Sequence, residues 1–238
     1  MNHILGKLYL IPTTLGDNEP LEVLPISVKK VIELINTYIV ENEKTARRFI
    51  KKINPKKQQS SLELFSLNKF TDNILLPEFL EPCLKGVDVG LISEAGCPGV
   101  ADPGAEIVKL AHQKNIQVIP LVGPSSILMA MMSSGMNGQN FAFNGYLPID
   151  KTERKNEIKR LERISFEQNQ SQIFIETPYR NNKMLEGLCD VLSNSTAISV
   201  ACDITLPTQY IKTQTADAWK KNMVDLHKRP TIFIIHKY

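Results

Sequence analysis

Short, often uninterrupted apolar runs alternate with longer stretches of helical period along the chain. The runs are Leu8–Ile11, Tyr38–Val40, Val87–Ile92, Ile116–Leu121, Ile173–Ile175, Ala197–Ala201 and Ile232–Ile235. Brevity and β-branching suit strands buried on both faces. Between them, apolar residues 28, 31, 32 and 35 form one helical stripe. Helices are predicted over 28–35, 103–114, 124–134 and 179–192. Asp102-Pro103 and Thr177-Pro178 supply a capping residue and a first-turn proline ahead of two of them. Pro77 and Pro82 make 73–85 short or kinked. Strand-then-helix alternation implies mainly parallel α/β architecture.

A break in periodicity near Gly138, Asn144, Gly145 and Pro148 precedes a charge-dense helix from about Lys151. It predicts an N-terminal α/β domain over 1–136 and a C-terminal one over 137–238. The mixed charges of that helix read as a solvated face, with Ile158, Leu161 and Ile164 inward.

The length of 238 residues, with 42% hydrophobic and 22% charged, fits a folded globular chain and excludes wholly disordered or collagen-like classes. The net charge is +3, from 28 basic and 25 acidic residues, so an anionic partner is permitted but not demanded. Cysteines 83, 97, 189 and 202 and histidines 3, 112, 227 and 236 are scattered. No metal site is expected from such spacing. Unpaired cysteines fit a reducing cytoplasm. Neither a membrane span nor a signal peptide is expected.

Two Gly/Pro-rich bends stand directly after predicted strands. The first is SEAGCPGVADPG, Ser93–Gly104, and the second is Val122-Gly123-Pro124-Ser125-Ser126. Glycine permits close ligand approach, proline stiffens the rest, and hydroxyls at a helix start suit polar ligand atoms. Ligands in open α/β sheets settle at the carboxyl ends of strands, where both bends lie. Neither GxxxxGK[ST] nor GxGxxG is present. A third cluster is Glu176-Thr177-Pro178-Tyr179-Arg180. It reads equally as a helix start or as a site.

These segments, with LYLIPTTLGD (8–17) and Phe143–Pro148, resemble the tetrapyrrole-methylase-fold methyltransferases. The likeness is greatest to the branch that methylates a cytidine ribose 2′-oxygen in small-subunit ribosomal RNA. It runs in unbroken order from residue 7 to about 236. It implies two α/β domains with mostly parallel sheets, a cleft between them for S-adenosylmethionine, and a homodimer. Carried over by motif, the cofactor residues are Pro12, Thr14, Leu15, Glu94, Gly96, Cys97, Val100, Ser125 and Ser126. From the second domain they are Glu176, Ala201 and Pro230.

Where that branch has A-E-D-T-R, this chain has Val40-Glu41-Asn42-Glu43-Lys44. The retained Glu41 is the candidate general base, and its bland reading is an exposed acid after a strand. The basic run with Arg47, Arg48, Lys51, Lys52, Lys56 and Lys57 suits phosphate neutralisation. Lys44, Arg47, Arg48, Lys51 and Arg180 are the expected substrate contacts, with ribosomal RNA or the small ribosomal subunit as partner. Two other readings stay open at this point. One is carbon methylation of a corrin or porphyrin precursor. The other is a binding or scaffold protein that keeps the fold without turnover.

Overall fold

The computed structural model describes residues 4–68 and 71–238; His3 lies outside them. The chain forms two compact units, Met1–Ser125 and Ser126–Tyr238.

The first unit holds β1 (Leu8–Ile11), α1 (Pro20–Val23), α2 (Ile26–Leu34), β2 (Thr37–Val40), α3 (Glu43–Ile53) and β3 (Glu63–Ser66). A 3-10 segment, Asn73–Leu80, then leads into α4 (Glu81–Leu84), β4 (Val89–Ile92), α5 (Gly104–Gln113) and β5 (Val118–Pro120). Pro77 inside the 3-10 segment and Pro82 in α4 account for the expected interruption. The strands form one parallel sheet in the order β3-β2-β4-β1-β5.

Side-chain alternation divides the core between the sheet's two faces. Leu8, Ile39, Val89 and Leu91 pack with Ile107 and Ala111 of α5. Ile11, Tyr38, Val40 and Ile92 pack with Val28 and Ile32 of α2 and Ile50 of α3. Tyr38 is fully buried, and its hydroxyl donates to the Ile35 carbonyl at 2.7 Å. Burial pushes its pKa above the usual tyrosine range. Because β4 lies between β2 and β1, the carboxyl ends of all three strands are neighbours.

The second unit holds α6 (Ser126–Ser134), β6 (Phe141–Tyr146), α7 (Lys151–Gln168), β7 (Ser171–Ile175), α8 (Asn181–Val191), β8 (Ala197–Cys202), β9 (Tyr210–Thr215), α9 (Ala216–Lys221) and β10 (Thr231–His236). Its sheet order is β6-β7-β10-β8-β9. One core joins Phe174, Phe233, Leu161, Leu185 and Trp219. The Phe174 and Phe233 rings stack at 5.9 Å, and the Trp219 indole donates to the Ile198 carbonyl at 2.9 Å.

Here the expectation of mostly parallel sheets needs correction. Only β6–β7 is parallel; β7–β10, β10–β8 and β8–β9 are antiparallel. The central strands nonetheless read as continuous apolar runs. α7 packs on β7 and β10, while α6 packs on β8, β9 and β10. That association of α6 also puts the division between units at 125/126 instead of 136/137. Three strands lay outside the predicted set: β3, β6 and β9. Each is an edge strand with partly exposed side chains, so none has the fully apolar signature.

A junction of strand-end loops and a basic helix

Three loops of the first unit meet beyond the carboxyl ends of β1, β4 and β5. The Thr13 amide donates to the Gly96 carbonyl at 2.9 Å, and the Thr13 hydroxyl to the Ser93 carbonyl at 3.3 Å. This fastens the loop after β1 to the first Gly/Pro-rich bend. The Cys97 thiol lies 3.4 Å from the Pro124 carbonyl, so the second bend touches the first. Burial raises the Cys97 thiol pKa, which suits a packed thiol better than a nucleophile.

Two glycines make that approach possible. Gly96 has φ 74°, and a Cβ there would stand 3.2 Å from Leu15 Cδ2 and 3.4 Å from the Pro124 carbonyl oxygen. A Cβ on Gly123 would fall 2.2 Å from Pro12 Cγ. Asp102 holds the other end of the first bend. Its Oδ1 accepts from the Gly104 amide at 2.7 Å and from the Gly99 amide at 2.9 Å. It thereby holds the start of α5, but not as the expected cap: the helix begins at Gly104 with Pro103 in the N-cap position, one residue later than the sequence predicts. Burial raises the Asp102 pKa, and the two amides oppose that rise.

Glu41 follows β2 and is half-buried, not exposed. Its Oε1 accepts the Glu94 amide at 3.0 Å. Burial is the largest cause raising its pKa, with the Asp102 and Glu94 carboxylates adding to it and the Glu94 amide opposing. The Glu94 carboxylate in turn accepts the Thr45 hydroxyl at 2.6 Å. Asn42 caps α3, accepting from the amides of Lys44 at 2.9 Å and Thr45 at 3.3 Å. Asparagine caps a helix as well as aspartate does, so the amide at this position leaves the local backbone supported.

The basic run separates into parts. Arg47 donates to the Gln59 carbonyl at 2.7 Å and pairs weakly with Glu43 at 3.9 Å. Lys52 pairs with Asp17 at 3.0 Å and Glu19 at 3.7 Å. Lys57 does not join the patch: its ammonium donates to the carbonyls of Ile32 and Ile35, each at 2.5 Å, closing the end of α2. Lys44, Arg48 and Lys51 are exposed and form no salt bridge among the described residues.

A cavity of about 350 Å³ adjoins the junction, lined by the loop after β1, by Ser93 and Glu94, and by Thr45, Arg48, Phe49 and Lys52 of α3. Thr45 and Phe49 line this cavity without having been singled out by the motif reading, as does Asp17 at the end of the quoted 8–17 segment. Thr45 had a signal in its position three residues after the Asn42 cap.

Of the expected cofactor residues, Pro12, Thr14, Leu15, Glu94, Gly96, Cys97, Val100 and Ser125 belong to the first unit. Thr14 and Leu15 line the 350 Å³ cavity. Val100 is exposed. Ser126, Glu176, Ala201 and Pro230 belong to the second unit. There Glu176 is buried and pairs with Arg180 at 2.6 Å, Ala201 lies buried in β8, and the Pro230 carbonyl accepts the Asp203 amide. Arg180, expected to meet substrate, is thus engaged by a neighbour four residues away. No helix among the described residues is long and apolar enough to cross a membrane.

No protein-family model matches the chain. It is 28% identical over 233 residues to the ribosomal RNA small subunit methyltransferase I of Buchnera aphidicola subsp. Schizaphis graminum, covering 97% of this chain and 78% of that one. It is 26% identical over 198 residues to the protein of that name from Vibrio cholerae, covering 83% of this chain. The aligned part spans 65% of the Vibrio protein's length. Among solved structures it is similar to the methyltransferase CobJ, with a TM-score of 0.65, 16% identity, and 98% and 94% of the two chains covered. It is also similar to the cobalt precorrin-4 methyltransferase CbiF, with a TM-score of 0.59, 14% identity, and 97% and 94% covered. The chain therefore has the tetrapyrrole-methylase fold, and its sequence is similar to the proteins named ribosomal RNA small subunit methyltransferase I.

Proposed function

We propose that this chain transfers a methyl group from S-adenosylmethionine to the 2′-oxygen of a cytidine ribose in small-subunit ribosomal RNA. The observation that carries the reading is the meeting of the loops after β1, β4 and β5, with Glu41 beside them. A tight carbonyl-rich junction with hydroxyls from Thr14 and Ser125 suits an ammonium-bearing, hydroxylated ligand. Gly96 and Gly123 keep it free of side chains. Pro12, Thr14, Leu15, Glu94, Gly96, Cys97, Val100 and Ser125 are the residues we assign to holding the cofactor in this unit.

When bound, S-adenosylmethionine supplies a methyl group already activated on a sulfonium sulfur. The chain's own task is then chiefly positioning, which contributes up to ~7–11 kcal/mol in favourable cases. A ribose hydroxyl also has to give up its proton, for which a general base contributes about 10²–10⁴-fold. We assign that proton to the Glu41 carboxylate, whose pKa burial and two neighbouring carboxylates raise. Lys44, Arg47, Arg48 and Lys51 on α3 neutralise RNA phosphates in this reading. A homodimer working in the cytoplasm belongs to the same proposal.

The test is transfer of label from methyl-labelled S-adenosylmethionine to small ribosomal subunits from cells lacking the ribose methyl groups, beside a reduced tetrapyrrole. Label in a cytidine ribose supports the reading. Label confined to the tetrapyrrole overturns it.

A further inference from the structure

We infer that the α3 side of the 350 Å³ cavity is an acceptor pocket that takes one pyrimidine nucleotide of an RNA strand, its phosphate on Arg48 and Lys52 and its base against Phe49, while Thr14, Leu15 and Glu94, assigned above to the cofactor, complete the lining. This deepens the methyltransferase reading and rests on it.

The helix offers the first reason. Ala46, Ile50 and Ile53 are buried in the core. Thr45, Arg48, Phe49 and Lys52 stand at i, i+3, i+4 and i+7, and so form a second stripe on one face. All four line the cavity. The half-buried Phe49 packs in part against the core beneath α3 and in part lines the cavity between two cations. A ring that binds a base by its flat face, with cations for the phosphate, is the usual means of holding unpaired nucleotides.

Size gives the second reason. About 350 Å³ lies at the small end of ligand pockets. It accommodates one nucleotide and is small for a tetrapyrrole macrocycle.

Charge gives the third. Arg48 and Lys52 also border a shallow hollow with Arg47, Lys51 and Pro55, so positive charge continues outward from the cavity mouth. Lys52 is held by Asp17 and Glu19, whose side chains are 94% and 70% exposed. Solvated ion pairs of this kind cost little to open, so a phosphate can replace the carboxylates.

Location gives the fourth. Glu94 lines both this cavity and the adjoining hollow that contains Glu41 and Asp102. A ribose held in the cavity is therefore near the carboxylate assigned to take its proton.

The experiment compares wild type with F49L, F49A and R48A in three measurements: S-adenosylmethionine affinity by calorimetry, binding of a cytidine-containing RNA oligonucleotide, and methylation of undermodified small subunits. F49L keeps apolar volume for the core, and so guards against F49A failing to fold. We expect F49L and R48A each to lose about tenfold or more in oligonucleotide affinity and in kcat/KM, with cofactor affinity within about twofold of wild type. An active wild type with unchanged variants overturns the pocket alone. A parallel loss of cofactor affinity overturns it as well, assigning the cavity to the donor. A wild type that neither binds cofactor nor methylates subunits overturns the underlying function instead.

Discussion

The backbone amide of Glu94 donates to the carboxylate of Glu41 at 3.0 Å, across 53 positions of sequence. The bond ties the end of β2 to the bend after β4 and sets Glu41 half-buried beside Asp102 and Glu94. E41Q retains an acceptor for that amide but removes the carboxylate proposed as the base. We expect methyl transfer to fall by about 10²–10⁴-fold with cofactor affinity unchanged. Wild-type rate should fall as pH drops through the raised Glu41 pKa, and the residual rate of E41Q should be flat there. The linkage has a definite sign. A raised folded pKa means stability is fully present below the unfolded value and is lost as pH rises through the folded one. E41Q is free of that loss, so its urea midpoint at neutral pH should equal or exceed wild type.

Asp102 accepts amides on both sides of itself and keeps the first bend closed. D102A leaves the Gly99 and Gly104 amides without that partner. A stability loss of about 1–3 kcal/mol is expected in urea denaturation, together with weaker cofactor binding. Unaltered stability would mean water replaces the carboxylate at no cost.

Gly123 and Pro12 test the junction itself. The added methyl of G123A would overlap the Pro12 ring, at 2.2 Å from Cγ. Overpacking of this kind costs about 1–3 kcal/mol. Because the strain falls between two loops that the proposal assigns to the cofactor, calorimetry should show a dissociation constant raised about tenfold. A G123A protein that binds as tightly as wild type would argue against the junction as the donor site.

Much of the first unit was legible because its strands are covered on both faces. Leu8–Ile11, and Val87–Ile92 in spite of Asp88, read as strands from their apolar content. β9, with Lys212, Thr213 and Gln214 on a sheet edge, had no such pattern. Strand direction in the second unit was equally hidden, since continuous runs in β7, β8 and β10 report burial and not polarity. At the site, the bends announced themselves through glycine and proline. The contact of Glu41 with Glu94, and the gathering of Thr45 and Phe49 with Asp17 around a cavity, are tertiary and leave no local mark.

Arg180 separates structural from substrate roles. Glu176, whose side chain is 3% exposed, has Arg180 as its ion-pair partner at 2.6 Å. Because Arg180 is about a third exposed, R180A should cost about 1–3 kcal/mol, below the range for a fully buried pair. R180K should recover part of it. If R180A keeps wild-type stability but loses RNA affinity, the arginine serves substrate after all.

The exposed cations of α3 should appear in the salt dependence of RNA binding. Removing Arg48 or Lys51 is expected to reduce the slope of log affinity against log salt by about 1 each. An unchanged slope in R48A and K51A would place the RNA on another face.

Lys57 gives the basic segment a double meaning. Its ammonium sits over the final carbonyls of α2, and burial lowers its pKa. Neutralising the whole segment at once would therefore loosen the helix that backs the sheet while also discharging the surface. Impaired methylation in such a mutant would not by itself reveal a contact with nucleic acid. A clean charge-removal series has to spare this one lysine.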